Sequence, residues 1–164
     1  MLYSKAAEYA IRAMVYLAEQ PPGELIQLKD VAAKEDIPFH FLAKTMQILS
    51  RKGLVRSHRG PRGGFCLSRK PEEITLYDIV DPIDHIANYD EICILGIDVC
   101  SDEASCPLHD DWSKIRAQIR LTLEGKNLAQ MVGKLEEKRR LVAEKDAVRD
   151  GARLENLIGP FRVD

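Results

Sequence analysis

Residues 54 to 69, LVRSHRGPRGGFCLSR, leave the chain few ways to fold. Leu54 to Ser57 and Phe65 to Ser68 read as short strands. Between them, Arg59, Gly60, Pro61, Arg62, Gly63 and Gly64 combine residues that accept unusual backbone angles with one that cannot continue a hydrogen-bonded ladder. The expected result is a hairpin with arginines at its tip. Its glycines let the backbone lie close to a neighbour, and its cations suit a neighbour made of phosphates. Cys66, alone on one strand, is expected as a small buried apolar residue rather than a ligand.

The segment upstream supplies helices. Ser4 is a candidate N-cap, Ala6, Ala10, Ala13, Met14 and Leu17 recur at three- and four-residue spacing, and Pro21, Pro22 and Gly23 end the run. Glu8 and Arg12 fall on its surface side, where they are expected as ordinary solvated charges. A second helix over Leu28 to Lys34 buries Leu28, Val31 and Ala32. A third opens with Pro38 at its first position, carries Phe41, Leu42, Thr45, Met46 and Leu49 as its apolar stripe, and stops at Gly53. Two helices joined by a short turn through Asp36 and Ile37 have the spacing of a helix-turn-helix, and a hairpin directly after one is a wing. His40, Lys44 and Gln47 then share the outer face of the third helix, where base edges are read.

Charge is distributed to match. The net charge of -2 conceals a basic run from residue 37 to 71 that contains no Asp or Glu, followed from 72 to 111 by an acidic run that contains no Lys or Arg. One strongly basic face on a mildly acidic protein is the electrostatic footprint of nucleic-acid binding, with Arg51, Arg56, Arg59 and Arg62 as the phosphate-contacting candidates.

Downstream, Thr75 caps a short helix over Leu76 to Val80 that Pro82 is expected to end. From there to Cys106 no periodicity appears, and the segment reads as a long acidic loop. Pro107 opens a helix with His109, Asp110 and Asp111 in its first turn, Trp112, Ile115, Ile119, Leu121 and Leu123 as its apolar content, and Gly125 as its stop. That is more apolar surface than a small winged helix buries, so a second subunit is expected to cover it. Leu128, Met131, Val132 and Leu135 begin a last, increasingly charged helix. The expected fold class is mostly α with a small β-hairpin wing: a winged helix-turn-helix plus a long dimerisation helix. The expected divisions are 1–82 for the DNA-binding domain, 83–106 for the cysteine loop, 107–150 for the dimerisation and C-terminal helices, and 151–164 for a flexible tail.

The loop carries the chemistry. Within ICILGIDVCSDEASCPLHDDW, residues 92 to 112, Cys93, Cys100 and Cys106 are separated by six and five residues, and His109 follows Cys106 by three. Thiolate and imidazole are the side chains that hold zinc or an iron-sulfur cluster. Paired CxxC knuckles are absent, which lowers structural zinc, and wide spacing on an irregular loop suits a bulkier cluster. Unligated, oxidant-sensitive thiols are the remaining reading. No apolar run approaches the roughly 18 residues of a membrane span and no signal-peptide pattern opens the chain, so a cytoplasmic location with no membrane partner is expected. There, clustered cysteines are more often ligands or redox thiols than structural disulfides.

Three stretches, SKAAEYAIRAMVYLA, the wing LVRSHRGPRGGFCLSR and the loop ending CPLHDDW, together resemble the family of winged-helix iron-sulfur transcription regulators that includes IscR and NsrR. The resemblance covers about residues 1 to 125. It implies a homodimer that binds a palindromic operator in double-stranded DNA, with Cys93, Cys100 and Cys106 each binding cluster iron. The fourth ligand is open between His109, in the manner of the IscR-like branch, and Glu8 of the partner subunit, in the manner of the NsrR-like branch. The CxxH spacing favours His109 and a 2Fe-2S over a 4Fe-4S cluster. Ala43 stands where IscR-like recognition helices carry an acidic residue, so the operator sequence does not follow from the resemblance.

The expected function is a non-enzymatic transcriptional regulator, a repressor that senses iron-sulfur status, redox state or nitric oxide through the cluster. The alternative is a metal-free or zinc-containing winged-helix regulator that senses oxidants through its thiols. No constellation of acid, base and nucleophile of substrate size is present to favour catalysis.

Overall fold

The computed structural model describes residues 3–60, 63–90, 93–96, 101 and 103–157, with side chains for all of these except 89–90 and 147–157. Helix α1 (Lys5–Ala18) is the hub. Its Ala7, Ala10, Ile11, Ala13, Met14, Val15 and Leu17 are buried, and α2, α3, α4, α6 and the hairpin all pack on it. The small side chains of Ala7, Ala10 and Ala13, each fully buried, let the neighbouring elements approach closely. Ser4 caps the helix by accepting the Ala7 N–H at 3.2 Å. The same residue donates its own N–H and hydroxyl to the Asp84 carboxylate, which locks the start of α1 to the end of α4.

Helix α2 (Leu28–Lys34) has the bounds its sequence implies, and a left-handed Asp36, with φ of 47°, turns the chain into α3 (Phe39–Arg51). Pro38 sits one position before the helix rather than inside it. Its ψ of 123° is extended, while its carbonyl already accepts the Phe41 and Leu42 N–H groups. Gly53, at φ of +70°, ends α3.

Strands β1 (Val55–His58) and β2 (Gly64–Leu67) pair antiparallel, Val55 opposite Leu67 and His58 opposite Gly64. Each lies one residue nearer the turn than expected; the Leu54 N–H closes the end of α3 on the Leu49 carbonyl, while its own carbonyl accepts the Ser68 N–H just beyond the ladder. Ile26 adds a third, one-residue rung by exchanging both backbone hydrogen bonds with Phe65, at 3.0 and 2.8 Å. This approach demands glycine: a Cβ on Gly64 would lie 2.5 Å from the Ile26 carbonyl oxygen. Cys66 is buried, as expected of it.

Helix α4 (Leu76–Asp84) runs past the expected stop and keeps Pro82 inside it. Proline removes one N–H from the helix, but a capping box between Thr75 and Asp78 secures one end. The bond of the His85 N–H to the Asp81 carbonyl and the grip of Ser4 on Asp84 secure the other. His85, left-handed at φ of 55°, then ends the helix. The segment after Pro82, expected to be loop throughout, next forms a 3-10 turn over Ile86–Asp90.

Helices α5 (His109–Glu124) and α6 (Leu128–Leu157) follow, and they join the same core rather than standing apart. Thr75 and Asn127 form a bridge, with Leu76 N–H on the Lys126 carbonyl at 2.8 Å and Leu128 N–H on the Ile74 carbonyl at 2.9 Å. Ile74, Leu123 and Leu128 are buried together at that junction. Helix α6 continues seven residues into the segment expected as a tail, and 158–164 lie outside the described residues. Met131, Val132 and Leu135 settle against the core, and Arg139 pairs with Glu19 at 2.5 Å.

Candidate nucleic-acid interface and cysteine site

Helix α3 has two unlike faces. Leu42, Thr45, Met46 and Leu49 are 3% exposed or less, with the Thr45 hydroxyl donating to the Phe41 carbonyl at 2.9 Å. On the opposite side His40, Lys44, Gln47 and Arg51 follow one another at steps of four, three and four residues, which places them in one stripe, and all are exposed. The wing extends this surface, with Arg56 on β1 and Arg59 at its tip, both exposed. Among the described residues, none of Lys44, Arg51, Arg56 and Arg59 forms an ion pair. Cations whose charge no internal carboxylate neutralises keep their attraction for an external polyanion. Arg62 lies outside the described residues.

One residue of this helix departs from expectation. Phe41, expected in the apolar stripe, is 62% exposed. Its four-residue step to Thr45 mimics a core position, but the buried arc centres on Leu42 and leaves Phe41 beyond its edge.

Of the four expected loop ligands, the structure brings two together. Cys93 is 5% exposed, and its sulfur lies 3.7 Å from that of the half-buried Cys106. A turn from Cys93 to Gly96 is closed by the Gly96 N–H on the Cys93 carbonyl at 2.9 Å. Ser101 and Ala104 exchange backbone bonds ahead of the second. His109, the first residue of α5, donates its backbone N–H to the Cys106 carbonyl at 3.0 Å, so ligand candidates 106 and 109 share one turn. Cys100 lies outside the described residues, and among those described no group of three metal-binding side chains assembles.

The donor pair fits a metal. Two thiolates bonded to one tetrahedral ion at about 2.3 Å stand about 3.8 Å apart, close to the spacing of Cys93 and Cys106. Glu8 is differently placed. Its carboxylate takes Lys5 at 2.8 Å and Arg12 at 3.7 Å, and Arg12 also reaches Glu35 on α2's C-terminal side at 3.4 Å. The expected solvated charges are therefore a network that ties α1 to the helix-turn-helix.

The Rrf2 model, described as an iron-dependent transcriptional regulator, matches residues 3–134. The chain belongs to the Rrf2 family. A transcriptional regulator of the helix-turn-helix type from Aquifex aeolicus is 36% identical over 140 residues, covering 84% of this chain and 95% of its own length. Among solved structures, IscR of T. potens superposes with a TM-score of 0.66 at 27% identity, over 82% of this chain and 88% of that one. CymR, the global cysteine regulator of B. subtilis, superposes at 0.65 with 26% identity, over 80% and 95%. This Rrf2 protein is accordingly a DNA-binding transcriptional regulator and not an enzyme, on a winged-helix fold. Among its described residues, no helix is long and apolar enough to cross a membrane.

Proposed function

We propose that this Rrf2 regulator acts as a cytoplasmic homodimeric repressor whose operator affinity is set by an iron-sulfur cluster on Cys93, Cys100 and Cys106, with His109 as fourth ligand. The observation that carries it is the 3.7 Å sulfur pair. Cys93 and Cys106 would hold the cluster as a neighbouring pair of thiolates, and the CxxH spacing of Cys106 and His109 favours 2Fe-2S over 4Fe-4S. When bound, the cluster supplies redox and ligand-exchange chemistry that protein side chains lack.

The chain's own residues convert occupancy into a change at the DNA. The loop enters from the 3-10 turn after α4 and leaves through the first turn of α5; α5 packs on α4, and α4 packs on both α1 and α3. A loop drawn together at Cys93 and Cys106 fixes where α5 begins, and that constraint reaches the helix-turn-helix through contiguous packed helices. The acids of residues 72 to 111 add repulsion from DNA wherever the loop is released toward it. On one flank of α5, Leu108 and Ile115 are 42% and 50% exposed, and the buried indole N–H of Trp112 beside them lacks a partner among the described residues. A second copy of α5 covers this apolar face in the proposed dimer, which then presents two wings to a palindrome.

A thiol sensor is the second reading, because the same sulfur pair also suits a single zinc ion or a dithiol near disulfide formation. The deciding experiment compares DNA affinity of cluster-loaded, chelator-stripped and diamide-oxidised protein. Loaded and stripped forms should differ by about 5- to 150-fold. Equal affinities for those two, with a change only on oxidation, would overturn the cluster reading in favour of the thiol reading.

A further inference from the structure

We propose that Phe41 is a specificity-determining residue that docks against the C5-methyl group of thymine in the major groove. The inference rests on α3 being the helix that reads DNA.

Phe41 occupies the third position of α3, in the N-terminal turn where recognition helices meet base edges. It is 62% exposed, the second most exposed of the large apolar residues described. Its neighbour Phe39, 48% exposed, rests edge-on against the His40 ring, with centroids 6.0 Å apart and planes at 78°. Phe41 has no aromatic or cationic partner among the described residues. Leaving a phenyl ring in water forgoes the stabilisation that burial gives. The fold does not need it there.

Surroundings decide what covers it. Phe41, Lys44 and Ile48 follow at steps of three and four residues, so the ring lies beside the His40, Lys44, Gln47 and Arg51 stripe and shares Lys44 with it. The nearest acid before it in sequence is Asp36, and none follows until Glu72. A surface so cationic faces a polyanion. An apolar protein partner would bring no charge to match Lys44 and Arg51, whereas the major groove offers phosphates at its walls and one apolar feature on its floor, the thymine methyl. The ring is also rigid, so little rotamer entropy is lost on docking. The adjacent polar residues read hydrogen-bonding edges, and Phe41 adds a preference those residues cannot supply.

The test uses full-length protein and duplexes selected from a randomised pool, resynthesised with deoxyuridine replacing one thymine at a time. Deoxyuridine pairs identically and lacks only the methyl. For the native protein, one symmetric thymine position should weaken binding about fourfold per half-site on replacement. Phe41→Ala should bind the thymine duplex as weakly as native protein binds the uracil duplex, and should lose the distinction at that position alone. Phe41→Leu should restore part of it. A native protein indifferent to uracil at every position, or a Phe41→Ala protein that retains the full penalty, overturns the proposal. So does a changed sedimentation of Phe41→Ala without DNA, which would assign the ring to a contact between copies. Failure of the native protein to select any duplex would instead remove the DNA-reading role of α3, and this inference with it.

Discussion

The winged helix and the cysteine loop are held by different kinds of force. In the first, α1 is enclosed by α3, α4, α6 and the hairpin, and its buried side chains leave almost nothing exposed. Caps at Ser4 and Thr75, the Ile26 to Phe65 rung and the clasp of Ser4 on Asp84 each fix a segment that packing has already placed. In the second, the described residues 93–96, 101 and 103–106 show short backbone turns, the Ala104 N–H on the Ser101 hydroxyl at 3.2 Å, and a close pair of sulfurs. A region determined many times over keeps its shape whatever it binds. A region in which two thiols stand this close can change shape with what joins them, which is what the proposed sensor requires.

The contrast is sharpest at the core. Leu42→Ala should cost about 2–5 kcal/mol in urea unfolding, whereas Cys93→Ala in metal-free protein should cost about 1 kcal/mol and leave the unfolding cooperative. Equal costs would mean that the loop belongs to the same packed unit. Gly64→Ala comes next. Its methyl collides with the Ile26 carbonyl, so destabilisation of about 1–3 kcal/mol should accompany loss of amide-exchange protection at Ile26 and Phe65. Thr75→Ala should cost about 1 kcal/mol, because α4 loses the cap that offsets Pro82. Smallest in stability, and informative for that reason, is Arg59→Ala. With no ion pair to lose among the described residues, its unfolding free energy should stay within about 0.5 kcal/mol of native. The slope of log affinity against log salt should nonetheless become shallower by about one for each phosphate that Arg59 no longer neutralises. An unchanged slope removes Arg59 from the interface.

Legibility in the sequence follows the same division. Local signals suffice where structure is local: the bounds of α2, the Ser4 and Thr75 caps, the Gly53 stop and the hairpin all follow from neighbouring residues. They are insufficient where distant residues intervene. Pro82 reads as a helix stop, and it is overruled by Ser4, some eighty residues away, holding Asp84. The Ile26 rung and the Thr75 to Asn127 bridge join segments with no shared periodicity. Phe41 reads as core and lies outside it, because a spacing of four carries no information about how wide the buried arc is. At the site, residue types and spacing single out Cys93 and Cys106, but only the fold brings their sulfurs to 3.7 Å. The outer stripe of α3 needs nothing beyond helical periodicity, and the structure exposes the same residues.

The most direct measurement is an ultraviolet-visible spectrum, with iron and acid-labile sulfide analysis, on protein purified without oxygen, beside its Cys106→Ala variant. A cluster on the loop predicts visible charge-transfer bands, iron and sulfide in equal amounts near two per chain, and their loss in the variant without loss of its folded helix content. Colourless native protein, carrying zinc or no metal at all, would contradict it and move the signal to the thiols.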